Sequence, residues 1–296
     1  MRAVPALFRR NLRLFFKDKG MFFTSLITPV ILLVLYVSFL GNVYRDSFSS
    51  MMPSFFRLDA TVLDGLVGGQ LVSSLLAVSC VTVSFCANLL MVQDKSNGTR
   101  RDLVIAPVPR SALAMAYFAA SFAAAVMICM IALGAGLIYL AVVGWYLTVA
   151  DVLLLLVDVV IMTLFGTALS SVIGHFLSTQ GQMSAVGTIV SSGYGFISGA
   201  YMPISQFGEG LQQIIACLPG TYGTVLLRRH AMRGALGEMQ LLGIPEEFMQ
   251  PIRDALDCNL YFFGTQVSDA MLWIVPAVTV LLLILIFILL NRSTSK

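Results

Sequence analysis

Six long apolar runs constrain the fold of this chain most, because each is near the ~20 residues that a helix needs to cross a bilayer. Backbone polar groups inside hydrocarbon must be paired within their own segment, so runs of this length predict transmembrane helices. With 58% hydrophobic and 11% charged residues, the composition is far from that of a soluble domain. The expected fold class is therefore an all-α polytopic membrane protein with six transmembrane helices. They are expected at residues 21–41, 66–91, 111–142, 151–174, 182–202 and 270–290.

The polar segments between these runs predict the organisation of a single transmembrane domain over residues 1–296. Its parts are an interfacial helix (1–20), spans one and two (21–91), a cytosolic loop (92–110), spans three to five (111–202), an extracellular helical segment (203–268) and span six with a cytosolic tail (269–296).

Basic residues give the expected orientation. If the N-terminus is cytosolic, the short outside segments hold only Arg45 and Arg57, and the four arginines of residues 201–268 are discounted because long loops translocate largely regardless of charge. Both termini are thus expected in the cytosol, and the protein in the cell membrane, the cytoplasmic membrane of a bacterium. The small net charge of +3 suggests no nucleic-acid partner. The inside segments hold Arg2, Arg9, Arg10, Arg13, Lys17, Lys19, Lys95, Arg100, Arg101, Arg110, Arg292 and Lys296.

The first twenty residues predict an amphipathic helix. Arg9, Arg10, Arg13 and Lys17 fall in one arc of a helical projection, and apolar side chains take the remainder. Such a helix lies in a membrane interface with its basic groups toward lipid phosphates. The alternative, a cleaved signal peptide, is disfavoured because the following apolar run is long enough to span and lacks a small-x-small cleavage site.

The stretch from Gln93 to Arg110 is a charged interruption between two apolar runs. Residues 94–97 are expected to start a short helix, Gly98 to relax it, and residues 103–105 to form an apolar patch before Pro107 and Pro109 end it. A short charged helix with an apolar patch is suited to docking a soluble partner. An ordinary positive-inside loop is the simpler alternative.

This stretch resembles the cytoplasmic coupling region of ABC type-2 transporter permeases. The family pattern of an acidic residue, a Gly, a Leu and a Pro is met by Asp94, Gly98, Leu103 and Pro107. The family often has Glu at the position of Asp94, and an acidic residue where this chain has Arg100. The resemblance implies an ATPase-docking helix at these residues, including Arg101, with ATP and Mg bound by two copies of a separate ABC ATPase subunit.

A second resemblance to the same family lies in residues 195–229. Small residues are followed by Met202-Pro203 and then by Leu218-Pro219, as in the family's fifth span and its membrane-dipping extracellular helices. The resemblance then covers essentially the whole chain. Residues 243–264 are expected to form an additional outer helix that many members lack.

Small residues between Ser184 and Gly199 predict a helix face of little bulk. Ser191, Gly195 and Gly199 are spaced four apart, which permits close helix approach in lipid. Together with Met202 and Pro203, this face is a candidate for the translocation path or a dimer contact. Intramolecular packing is the third possibility.

Asp158 is an acid well inside a predicted span, where a carboxylate costs about 2.5 to 3.5 kcal/mol on insertion scales. No Lys, Arg or His is expected at comparable depth. The sequence therefore favours a structural role, or a site nearer the outer interface, over a proton or cation relay.

Enzyme chemistry finds little support in the sequence. No lysine follows a glycine and precedes Ser or Thr as a P-loop requires, and His175 and His230 form no HExxH motif. The cysteines form no CxxC or Cys/His cluster that predicts a metal site, and a bridge between Cys217 and Cys258 has nothing to fix its proximity.

Two functions of different classes follow. The first is the permease subunit of an ATP-binding-cassette exporter, paired with a second permease chain as a homodimer or heterodimer, for a hydrophobic or amphiphilic substrate such as a drug or antibiotic. The second is an ion-coupled secondary transporter or channel that acts without an ATPase. A membrane scaffold without transport activity is a third reading.

Overall fold

The structure, a computed structural model, describes residues 3–51, 59–105 and 108–293. Pro107 of the predicted docking stretch lies outside these residues, as do Arg2, Arg57 and Lys296. The described chain is almost entirely helical. Its elements in order are α1 (Ala3–Lys17), α2 (Lys19–Leu35), α3 (Gly41–Met51), α4 (Ala60–Ser96), α5 (Thr99–Ile105), α6 (Arg110–Val143), α7 (Val149–Phe176), α8 (Gln180–Ile197), α9 (Glu209–Ala216), α10 (Pro219–Leu241), α11 (Glu246–Ala255), the hairpin β1 (Tyr261–Phe262) and β2 (Thr265–Gln266), and α12 (Asp269–Ser293).

Within the described ranges, five helical segments are long and apolar enough to cross a membrane. They are Lys19–Asp46, Ala60–Ser96, Arg110–Val143, Val149–Phe176 and Asp269–Arg292. The first runs from α2 through a π-helical turn at Tyr36–Leu40 into α3. A multi-pass helical membrane protein is thus confirmed, whereas the count of six spans stays a prediction.

The fifth predicted span, residues 182–202, corresponds to α8, which is less apolar than these five segments and is not among them. Its 18 residues reach about 27 Å, slightly less than the thickness of a hydrocarbon core. The small and polar residues that define its face also lower its mean hydropathy. The helix ends at Ile197, and Gly199 follows with a φ of +70°.

The centre of the bundle is α4, and most of its side chains are buried against α6, α7, α8 and α10. Close approach to α7 depends on Gly166, where a Cβ would lie 2.9 Å from the carbonyl oxygen of Cys80. The Thr167 hydroxyl donates to Ser84 Oγ across the same contact at 3.3 Å. Small residues and hydroxyl bonds of this kind hold helices together where lipid removes the hydrophobic driving force.

Helix α10 belongs to the bundle, since it packs against α4, α7 and α12. Its Arg228 side chain is fully buried and pairs with Asp257 at 2.9 Å, and it also donates to the carbonyl of Gly199. Asp257 accepts a further bond from the amide of Ile204 at 2.8 Å. Burial raises the pKa of Asp257, and Arg228 acts against that shift. One ion pair thus joins α10 to the turn after α8 and to the loop after α11.

Helix α1 lies along α6 and also contacts α2. Its Phe15 side chain is 2% exposed, while Arg9, Arg13 and Lys17 are exposed. The predicted amphipathic helix is present, with its apolar side on the bundle. Arg10 departs from the predicted basic arc because its side chain is half-buried and turned toward α4.

Candidate functional site

Gly98 separates α4 from the short helix α5. Its φ of +81° lies in the left-handed region, as is common for the glycine that follows a helix C-terminus. The expectation that residues 94–97 start the short helix is wrong. The amide of Asn97 donates to Gln93 at 2.9 Å, so the last turn of α4 continues until the glycine interrupts it.

Asp94 lies inside the bundle and away from the exposed face of α5. Its carboxylate accepts from Arg10 Nη1 of α1 at 2.7 Å and from the Tyr117 hydroxyl of α6 at 2.6 Å. The side chain is 9% exposed. The acid that carries the family resemblance therefore joins three helices, a role that the spacing of the sequence did not reveal.

The seven residues of α5 divide into an inner and an outer side. Leu103 and Val104 pack on a buried cluster that includes Tyr117 and Phe287. Arg100 also turns inward, and its guanidinium donates to Asn291 Oδ1 of α12 at 3.0 Å. The apolar patch expected at residues 103–105 is therefore split between the two sides.

The outer side of α5, which we call the outer face, consists of Arg101, Asp102 and Ile105. All three side chains are exposed, and Ile105 is 84% exposed. The predicted contact residue Leu103 lies behind this face.

Behind α5 lies a cavity of about 680 Å³, which we call the Arg100 cavity. It opens where α4, α7 and α12 end and α6 begins. We call this part of the molecule, together with Arg10, the basic end. Among the described residues that line the cavity, none is acidic. They are Lys95, Ser96, Arg100, Arg101, Val104, Arg110, Leu113, His175, Ser178 and Asn291.

A groove of about 280 Å³ runs between α2, α4 and α8. It mixes hydroxyls such as those of Thr24, Thr28 and Ser191 with the side chains of Phe85 and Met183. Of the five residues predicted for a path or dimer contact, Ser191 lines this groove.

The other four predicted residues lie beyond the groove. A Cβ on Gly195 would overlap the ring of Tyr201, and one on Gly199 would lie 2.8 Å from Ile204. Met202 and Pro203 follow in the half-buried turn before the 3₁₀ segment Ile204–Gln206. Gly195 and Gly199 are thus engaged in packing within the chain, and a role in a path or dimer contact stays a prediction for all five.

The expectation that no Lys, Arg or His shares the depth of Asp158 is wrong. His230 Nδ1 of α10 lies 2.5 Å from Asp158 Oδ2, and Trp273 of α12 packs on the imidazole with ring centroids 5.8 Å apart. Sequence reasoning placed His230 in an outer segment, whereas α10 enters the bundle beside α7. The apolar start of α10 after Leu218-Pro219 was the available signal.

The His230 ring also faces a second cavity, of about 660 Å³, which we call the Trp273 cavity. It lies at the end of the molecule opposite to the basic end. Its arginines have acidic partners: Arg229 pairs with Asp269, Arg233 with Asp151 at 3.6 Å, and Arg253 with Glu246 at 3.0 Å.

Comparison with known proteins agrees with this architecture. No curated protein sequence matches the chain. The sequence model of the family described as ABC-2 type transporter matches residues 2–230, which include the helices from α1 to α9 and the first half of α10. Helix α11, the hairpin and α12 lie beyond the match. Because the match extends over well more than half of its length, this multi-pass membrane protein belongs to the ABC-2 type transporter family.

Proposed function

We propose that the chain is the permease subunit of an ATP-driven exporter and that a separate ABC ATPase docks on α5. The observation that carries this proposal is the outer face of α5, where Ile105, which is 84% exposed, lies beside exposed Arg101 and Asp102 on a seven-residue helix. An apolar side chain between charges at a helix end is suited to a partner groove. The positive-inside rule places the basic end, and therefore α5, in the cytosol.

Movement of α5 would reach the centre of the bundle by two routes. Gly98 links α5 directly to α4, and Leu103 and Val104 rest on the cluster that contains Phe287 of α12. Helix α4 in turn lines the groove with α8. ATP hydrolysis on two ATPase subunits, which bind the ATP and Mg, would thus shift helices around the groove.

The groove suggests the class of substrate. Hydroxyls beside Phe85 and Met183 suit an amphiphilic or hydrophobic molecule, of which a drug or antibiotic is the substrate we propose. A second permease chain, identical or related, would complete the path along the exposed sides of α2 and α8. The exposed apolar residues of α2 are Phe23, Ile27, Val30, Ile31, Val34 and Leu35.

Co-purification with the ATPase tests the proposal. The wild-type chain, isolated from its native membrane in mild detergent, should bring down an ATPase with vanadate-sensitive activity. Ile105→Asp should lose this ATPase, because a charge would enter the partner groove, while the chain remains monodisperse. Leu241→Asp is the matched control, since Leu241 is 82% exposed at the end of α10 and should leave the ATPase bound. Absence of an ATPase from the wild-type preparation would contradict the proposal.

One observation favours ion-coupled transport as a second candidate function. The pair of Asp158 and His230 supplies the partner that a proton relay needs, and Asp158 Oδ1 has no hydrogen-bond partner among the described residues. In proteoliposomes without any ATPase, a carrier of this class would move substrate when a pH gradient is imposed. Asp158→Asn would abolish that transport. Dependence on ATP with no response to the gradient excludes this function.

A further inference from the structure

The Arg100 cavity brings several positive charges together. Lys95, Arg100 and Arg101 line it, and among the described residues no carboxylate forms an ion pair with any of the three. Like charges that line one cavity repel each other, and partial burial strengthens the repulsion because water screens it less. A negatively charged ligand would therefore be bound favourably beside these three side chains.

The cations are held in place by neutral groups. Lys95 Nζ donates to the carbonyl oxygens of His175 at 2.8 Å and Leu177 at 2.6 Å, at the end of α7. Arg100 donates to Asn291 at 3.0 Å. Burial lowers the pKa of Arg100; Tyr117 acts against this shift and Arg110 adds to it. These contacts orient the side chains without neutralising them.

From this geometry we propose that the Arg100 cavity binds a phosphate group, presented by an anionic phospholipid, between α5 and the ends of α4, α6, α7 and α12. Guanidinium groups bind phosphate oxygens in a bidentate manner, and basic pockets between membrane helices accept lipid head groups. The volume of about 680 Å³ exceeds that of a single small ion and is sufficient for a head group.

The surroundings of the cavity favour lipid over a soluble anion. Phe176 follows the lining residue His175 and is 67% exposed. On α12, Leu285 and Leu289 are 52% and 51% exposed and lead toward the lining residue Asn291. Acyl chains lying along these side chains would keep the phosphate at the mouth of the cavity.

A bound phosphate would connect α5 to the transmembrane bundle by charge. Arg100 and Arg101 belong to α5, whereas Lys95 and Arg110 belong to α4 and α6. The lipid would thereby set how firmly α5 is held. This inference does not depend on an ATPase, since the site lies within the permease alone.

Lipid binding to the purified permease, without any ATPase, tests the inference. Phosphatidylglycerol and phosphatidylcholine are titrated separately and the bound species are counted by native mass spectrometry. Phosphatidylglycerol should bind more tightly, and Arg100→Gln/Arg110→Gln should weaken it about thirtyfold, since each basic residue contributes about fivefold. Arg9→Gln/Arg13→Gln removes the same charge from exposed positions of α1 and should leave the affinity unchanged.

Further arms identify the source of the phosphate and guard against misfolding. Inorganic phosphate is added in excess at constant ionic strength. Displacement of phosphatidylglycerol in the wild type means that a soluble phosphate fills the site, and no displacement means that the lipid is required. Both outcomes support a phosphate site. If the double variant is not monodisperse, Arg100→Gln alone, at a lining residue that is not on the outer face of α5, replaces it with an expected loss of about fivefold.

Three results would overturn the inference. The first is equal binding of the two lipids to the wild type. The second is equal weakening by the α1 control, which would show attraction to a diffuse basic surface. The third is loss of ATPase co-purification from the cavity variant with unchanged lipid binding, which would assign the cavity to an acidic segment of the ATPase.

Discussion

The two ends of the bundle hold cavities of similar volume that differ in how the charges of their arginines are balanced. In the Trp273 cavity each arginine has an acidic partner from the same chain, as in the pair of Arg253 and Glu246. In the Arg100 cavity the described lining contains four basic residues and no acid. The first arrangement neutralises itself and stabilises the fold, whereas no described carboxylate pairs with Lys95, Arg100 or Arg101 in the second.

The largest effect is expected where a charge beside the Trp273 cavity is fully buried. Asp257→Ala leaves Arg228 without its carboxylate partner, and breaking a buried pair costs about 3 to 5 kcal/mol. The melting temperature in detergent should fall sharply, with loss of monodisperse protein. Asp269→Asn is the control, because Asp269 is 89% exposed and its pair with Arg229 should contribute little. Equal effects of the two changes would remove the distinction between buried and exposed pairs.

The pair of Asp158 and His230 gives the next effect. His230→Leu leaves the Asp158 carboxyl unpaired within α7, with an expected loss of about 3 kcal/mol in unfolding free energy, the low end of the cost of removing one member of a buried pair. The double variant Asp158→Leu/His230→Leu should recover most of this loss, because replacing both members of a buried pair by apolar residues is often neutral. Thermal unfolding of the three proteins in one detergent measures the difference. If the double variant were as unstable as the single one, the pair would stabilise the fold by more than the mutual compensation of its two members.

The basic end also contains an ion pair, between Asp94 and Arg10, and Asp94 tests how much this pair contributes to stability. Asp94→Asn weakens the bonds from Arg10 and Tyr117, and charge-assisted bonds of this kind contribute about 1.5 to 3 kcal/mol. Thermal unfolding should detect the loss, while Asp102→Asn, at an exposed residue of α5, should unfold like the wild type. No change for either variant would mean that α1 is held by its apolar contacts alone.

The smallest effect on unfolding free energy is expected when one arginine from each cavity is replaced. Arg253→Gln should lower the unfolding free energy by about 0 to 1 kcal/mol, since it removes an exposed ion pair with Glu246. Arg101→Gln should leave it unchanged or raise it slightly, because it relieves repulsion among cations. Added salt should narrow the difference between the variants. Destabilisation by Arg101→Gln in lipid-free detergent would contradict the account of the Arg100 cavity.

Sequence patterns predicted the parts of the fold that depend on continuous hydropathy. The span expected at 111–142 corresponds to Arg110–Val143, and that at 270–290 to Asp269–Arg292. The span expected at 182–202 stays a prediction, because the Gly and Ser residues of α8 that permit close packing also lower the hydropathy that marks a span. The same small residues thus favour packing and weaken the sequence signal of a membrane helix.

The candidate site was predicted less completely than the fold. A short helix between α4 and α6 was expected, but its start at residues 94–97 was wrong, and the direction of each of its side chains depends on contacts with α6 and α12. Leu103 was expected on the outside because it fits the family pattern, and its packing against the Phe287 cluster is visible only in three dimensions. His230 was missed for the same reason, since α10 brings it to Asp158 over a separation of 72 residues.

The brevity of α5 has an evolutionary consequence. It is a seven-residue segment bounded by Gly98 on one side and by Pro109, which precedes α6, on the other. Substitutions at Arg101, Asp102 or Ile105 change its outward surface without repacking the helices behind it. If an ATPase docks on α5 as proposed, duplicated copies of such a gene could diverge in their choice of ATPase through a few codons, while the transmembrane helices continued to evolve under the separate demands of their cargo.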